Sequence, residues 1–68
     1  MQYYNKQELE KIENELIELG MFTEDEVTLV VKINGFNADT FDDMIYVRYG
    51  YYLDDFAEEI GLIEEEED

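Results

Sequence analysis

The chain has 68 residues, of which 20 are acidic and 4 are basic, and its formal net charge is −16 at pH 7. This length supports one domain, and the absence of serine, cysteine and histidine excludes nucleophile–histidine pairs and histidine- or thiolate-bound metals. We therefore expect neither an enzyme nor a cofactor, and the negative field argues against direct binding of nucleic acid or anionic membranes.

Hydrophobic residues make up 46% of the sequence and aromatic residues 15%, which indicates a folded core despite the charge. No apolar run has the length of a membrane span. The segment Met1–Asn5 lacks the basic and apolar regions of a signal peptide. We expect a cytoplasmic protein.

The first predicted element is a helix from Lys6 to Leu19. Asn5 and Glu8 have the spacing of an N-cap and its partner at the third helical position. Gly20, which follows the last apolar residue, is typical of a helix stop. The apolar residues that recur at spacings of three and four are Leu9, Ile12, Leu16 and Leu19.

Two strands are predicted next. The run 27–33 is rich in β-branched residues and alternates in a way that places Val27, Leu29, Val31 and Ile33 on one face. Met44–Tyr49 is a second strong strand. Asn34-Gly35 is a favoured tight turn and Phe36–Phe41 is a weak strand. A hairpin with a long loop and a three-strand meander both fit.

The last predicted element is a helix that begins at Leu53 and stops at Gly61. Its apolar face consists of Leu53, Phe56, Ala57 and Ile60. The acidic block 64–68 is predicted to be a flexible tail. The expected fold is therefore α+β, a two-layer α-β-β-α domain over residues 1–63 with two helices on a small antiparallel sheet.

Carboxylates dominate the predicted binding surface. On the last helix they occupy the whole face opposite the apolar residues, where like charges at i, i+4 oppose folding. Two more clusters precede the predicted strands and would lie at opposite ends of the sheet. The residues assigned to this surface are Glu10, Glu13, Glu24, Asp25, Glu26, Asp39, Asp42, Asp43, Asp54, Asp55, Glu58 and Glu59.

DNA phosphates repeat about every 3.4 Å of rise along each DNA strand. Carboxylates one helical turn apart, or two residues apart on a β-strand, have about the spacing of every second phosphate. The sequence thus favours a DNA mimic. A weaker set of predicted contact residues is Ile17, Tyr46, Tyr49 and Tyr51. Tyrosine is enriched at interface hot spots. The alternative is that these tyrosines cover the core edge and that Ile17 widens the core face of its helix.

The size, the acidity and the lack of catalytic residues resemble the small DNA-mimic inhibitors of bacteriophages and mobile elements. The segments Asp42-Asp43-Met44, Tyr51-Tyr52-Leu53 and Glu58–Leu62 are loosely similar to the acidic end of ArdA-type antirestriction proteins. In length the chain is closer to phage inhibitors of the nucleoid protein HU. This resemblance implies a phage-encoded inhibitor of a basic host DNA-binding protein such as HU.

Three alternatives stay open at this point. The protein could be an adaptor or regulatory subunit that contacts its partner through the tyrosines. It could be an inert domain from a salt-rich cytoplasm, in which the acids serve solubility. It could also form a homodimer, because the second face of the predicted sheet is not cleanly polar.

Overall fold

The computed structural model describes residues 4–62, and within this range the chain forms four α-helices and no strand. The helices are α1 (Lys6–Glu18), α2 (Glu24–Asn34), α3 (Ala38–Tyr49) and α4 (Leu53–Glu59). The predicted α+β fold with an antiparallel sheet is wrong. The predicted tail 64–68 lies outside the described residues.

Helix α2 occupies the segment that was predicted to be the first strand. It begins with a capping box, in which Thr23 Oγ1 accepts from the Glu26 backbone N–H at 3.1 Å and Glu26 Oε1 accepts from the Thr23 N–H at 2.9 Å. Val27 is buried, and Val30 and Val31 pack against the core at helical spacing. Capping and tertiary packing override the β-propensity of this run.

Helix α3 occupies residues 38–41 of the predicted weak strand and the whole of the second strong strand. Asn37 is its N-cap, and its side chain accepts from the Thr40 backbone N–H at 3.0 Å. The buried residues follow the helical period: Thr40, Phe41, Met44 and Ile45. Gly50 ends the helix in the left-handed conformation with φ 81°.

The two predicted helices are confirmed. Asn5 and Glu8 form the expected capping box of α1, and Leu19 is its C-cap. In α4, the residues Leu53, Phe56 and Ala57 are buried as the apolar period predicted. Within residues 4–62 the buried apolar core consists of Tyr4, Leu9, Ile12, Leu16, Phe22, Val27, Phe41, Met44, Ile45, Leu53, Phe56 and Ala57.

Helices α2 and α3 form an antiparallel hairpin. At one end Arg48 of α3 pairs with Glu26 of α2, with Nη2 2.7 Å from Oε2. At the other end Thr40 Oγ1 donates to the Gly35 carbonyl at 2.8 Å. The clusters Glu24–Glu26 and Asp39–Asp43 therefore lie towards opposite ends of a helical hairpin, whereas the sequence predicted opposite ends of a sheet.

Candidate protein-binding surface

The surface of the described residues is strongly acidic. Five of the 20 acidic residues lie at 64–68, so residues 4–62 carry 15 acidic side chains against 4 basic ones. Within this range a single ion pair forms, between Arg48 and Glu26. Most of these carboxylates therefore have no cationic partner within the described residues.

The predicted carboxylates divide into two groups. Most are exposed to solvent and are available to a partner: Glu10, Glu24, Asp25, Asp39, Asp43, Asp55, Glu58 and Glu59. The others are partly buried: Glu13, Glu26, Asp42 and Asp54. Three members of the second group make hydrogen bonds that hold the fold together.

Glu26 joins α2 to the end of α3. The hydrogen bond from Arg48 and the bond from the Thr23 backbone N–H lower the pKa of Glu26 to about 2. The Arg48 guanidinium also lies over the Phe22 ring, 4.6 Å from its centroid, and donates to the Met21 carbonyl at 3.2 Å. Glu26 is therefore a structural carboxylate, whatever it does for a partner.

Asp42 connects α3 to α4, and Asp54 connects α4 to the segment that precedes α1. Tyr52, at the N-cap of α4, makes no capping bond with its side chain, and Asp42 supplies one by accepting from the Leu53 backbone N–H at 2.7 Å. The Tyr4 hydroxyl donates to Asp54 Oδ1 at 2.8 Å. Burial, and then the bond to Asp54, raise the pKa of Tyr4 above its ordinary value.

We expect Asp42→Ala to destabilise the protein by about 1 kcal/mol, because the N-terminus of α4 loses its capping oxygen. Asp43→Ala is the matched control, since it removes the same charge from an exposed neighbour with no capping role. Urea unfolding followed by circular dichroism measures both. Equal stability of the two variants would show that the cap contributes nothing.

Glu13 lies in an acidic patch that tertiary structure assembles from two helices. Burial raises its pKa, and the negative charges of Glu10 on α1 and Glu24 on α2 raise it further. Glu13 is therefore close enough to interact with both Glu10 and Glu24, although the sequence separates Glu24 from the other two. This patch brings together residues that were predicted to lie on a helix and before a strand.

Several acidic residues have a local reason for their position. Glu24 and Asp25 lie in the first turn of α2, and Asp39 lies in the first turn of α3. Negative charge stabilises this end of a helix through the helix dipole. Asp54 and Asp55 have the same position in α4. The dipole disfavours Glu58 and Glu59, which end α4 with no basic residue in its last turn.

The predicted aromatic and apolar contacts are only partly available to a partner. Tyr49 donates its hydroxyl to the Met21 carbonyl at 2.7 Å and packs edge-on against Phe22. Ile17 and Tyr51 are partly buried against the core. For Ile17 this position agrees with the alternative interpretation, in which Ile17 widens the core face of its helix.

Tyr46 is half exposed and stacks on Tyr52, with ring centroids 5.2 Å apart. Tyr52 was not among the predicted contact residues. Tyr46 and Tyr52 together therefore form the exposed aromatic pair of the described surface that is best placed to meet a partner.

A groove of about 680 Å³ lies between α2 and α3 and was not predicted from the sequence. Its apolar walls include Leu29, Val30 and Val47, and Asp39 and Asp43 line it as well. The helical spacing of Leu29 and Ile33 is a signal for an exposed apolar stripe, but it becomes visible only once α2 is known to be a helix.

A smaller acidic notch of about 410 Å³ is lined by Asp42, Tyr52, Asp54 and Asp55. Two of its carboxylates already accept the hydrogen bonds described above. Between residues 4 and 62, no three acidic side chains are arranged to hold a metal ion. The notch thus adds to the negative surface.

The fold and surface define a small, acidic, all-α protein. No family model, curated protein or solved structure matches the chain. None of the described helices combines the length and the apolar character needed to cross a membrane.

Proposed function

We propose that this protein binds the basic surface with which a DNA-binding protein contacts phosphates, and that it blocks DNA binding as a DNA mimic. The nucleoid protein HU is the first partner to test. The observation that carries the proposal is the presence of exposed carboxylates on all four helices, with one ion pair among the described residues.

Folding alone does not account for this charge distribution. The first-turn acids of α2, α3 and α4 stabilise their helices, but Glu58 and Glu59 oppose the dipole of α4. Glu13 on α1 is repelled by Glu10 on the same helix and by Glu24 on α2. These residues cost stability in the isolated protein, and a basic partner would turn that cost into attraction.

Proteins that bind DNA neutralise phosphates with lysine and arginine, and the affinity falls steeply as salt rises. A surface built for phosphates also accepts carboxylates, because both are anionic hydrogen-bond acceptors. The acidic protein would occupy the lysines and arginines that otherwise contact DNA. Inhibition by direct competition follows from this arrangement.

The test is a competition experiment with purified HU and a fluorescent DNA duplex. We expect the protein to displace the duplex from HU, and we expect its affinity for HU to fall as salt is raised. Bovine serum albumin, another acidic protein, controls for unspecific charge effects. Displacement no stronger than with albumin would reject HU as the partner, and the same assay on basic proteins recovered from a lysate would then test the wider proposal.

The exposed pair Tyr46 and Tyr52 favours a second function, that of an adaptor with an aromatic interface. Such binding would change little with salt. Tyr46→Ala would weaken it, whereas neutralising the exposed carboxylates would not. The two functions therefore predict opposite results for the same pair of variants.

A further inference from the structure

The groove between α2 and α3 leaves apolar side chains in contact with solvent. Leu29 and Ile33 on α2 are 59% and 71% exposed, and Val47 on α3 is 85% exposed. Leu29 and Val47 line the groove. Leu29 and Ile33 are one helical turn apart and share a face of α2. Exposed apolar side chains grouped in this way are typical of an interaction site.

The charges at the groove select the kind of partner. Arg48 lines the groove, but its guanidinium is engaged by Glu26. Asp39 and Asp43 also line the groove and are exposed to solvent. Arg48 is the one basic side chain among the described residues of the lining. Lys32 lies on α2 beside Ile33 and is not part of the lining. The groove therefore combines apolar walls with an excess of negative charge.

A second copy of this chain is a poor occupant, because it would bring another strongly negative surface against Asp39 and Asp43. A segment with apolar residues on one side and lysine or arginine on the other matches both features. The groove runs along two antiparallel helices, and α2 has 11 residues, or about 16 Å at 1.5 Å per residue. This length suits two to three turns of a third helix.

We propose that the α2–α3 groove binds a short amphipathic helix of a partner protein, with leucine-like side chains against Leu29 and Val47 and basic side chains towards Asp39 and Asp43. This inference goes beyond the proposed DNA mimicry. It concerns apolar anchoring in one groove, and it does not require that the partner bind DNA.

The experiment uses a fluorescent synthetic peptide of about 12 residues, with leucines at i, i+3, i+4 and i+7 and lysines on the opposite face. A permuted peptide of the same composition lacks the helical period. Fluorescence anisotropy with the full-length protein measures both. We expect the amphipathic peptide to bind at least about tenfold more tightly than the permuted one, because only the first aligns its leucines with the groove.

Leu29→Gln should weaken binding of the amphipathic peptide by about tenfold. Leu19→Gln is the matched control, since Leu19 is equally exposed at 59% and does not line the groove. It should bind as the unmodified protein does. Circular dichroism verifies that both variants are folded. We expect both to fold, because Leu29 and Leu19 are each 59% exposed.

Equal binding of the two peptides, or unchanged binding by Leu29→Gln, would overturn the proposal and leave only general charge attraction. Sedimentation that showed a dimer abolished by Leu29→Gln would assign the groove to a second copy instead. If the amphipathic peptide binds but HU is not displaced from DNA, the groove inference stands and the HU proposal fails. If HU is displaced from DNA but the amphipathic peptide does not bind, DNA mimicry is retained and the groove proposal is rejected.

Discussion

Neutralising Asp55, Glu58 and Glu59 together is expected to weaken binding to a basic partner by at least about tenfold at moderate salt. These residues are exposed on α4, and the described residues contain no ion pair to them. Each lost charge removes part of the attraction to lysine and arginine, and the salt dependence of binding should become shallower as well. The variant is Asp55→Asn, Glu58→Gln and Glu59→Gln, titrated against HU at several salt concentrations.

Asp54 is left unchanged in this variant because Tyr4 donates a hydrogen bond to it. The matched control replaces Glu64, Glu65 and Glu66 by glutamine, which removes the same charge from a segment not assigned to the binding surface. The control should lose much less affinity than the α4 variant. Equal losses in the two would mean that net charge alone drives binding and that α4 is no specific contact.

Phe41→Ala is expected to remove most of the stability of the fold. Phe41 is fully buried on α3 and packs edge-on against Phe36, with ring centroids 5.7 Å apart. Truncation of a buried phenylalanine costs about 3–5 kcal/mol, and small domains have about 5–15 kcal/mol in total. For 68 residues with no disulfide and a net charge of −16, we expect a stability at the lower end of that range.

Circular dichroism during urea unfolding tests this prediction. Val47→Ala on the same helix is the control, because Val47 is almost wholly exposed and its loss creates no cavity. The control should unfold at nearly the urea concentration of the unmodified protein. A Phe41→Ala protein with the same midpoint as the unmodified protein would show that the core does not depend on the Phe41 ring.

The predicted strands failed because short apolar runs fit two periods. Val27, Leu29, Val31 and Ile33 alternate as a strand does, whereas Val27, Val30 and Val31 have the spacing of a helix face. The sequence contains the signal that separates these cases. Thr23 and Glu26 have capping-box spacing, and the box forms in the structure.

The prediction of the α4 carboxylates did not require the correct overall fold. Glu58, Glu59 and Asp55 are exposed as predicted, because the apolar period of α4 alone determines which face is buried. The interpretation of Asp42 and Asp54 as free phosphate mimics was incomplete, since both accept hydrogen bonds within the fold. Contact of these carboxylates with a partner stays a prediction.

By itself, the sequence determined the features that depend on composition and local spacing: the dominant negative charge, the lack of serine, cysteine and histidine, helices α1 and α4, and the exposed face of α4. Only the tertiary structure decided which acids hold the fold. Asp42 caps a helix 11 residues away, Glu26 pairs with Arg48 across 22, and Tyr4 reaches Asp54 across 50. Such contacts, like the α2–α3 groove, arise from the packing of whole helices, which local patterns do not encode.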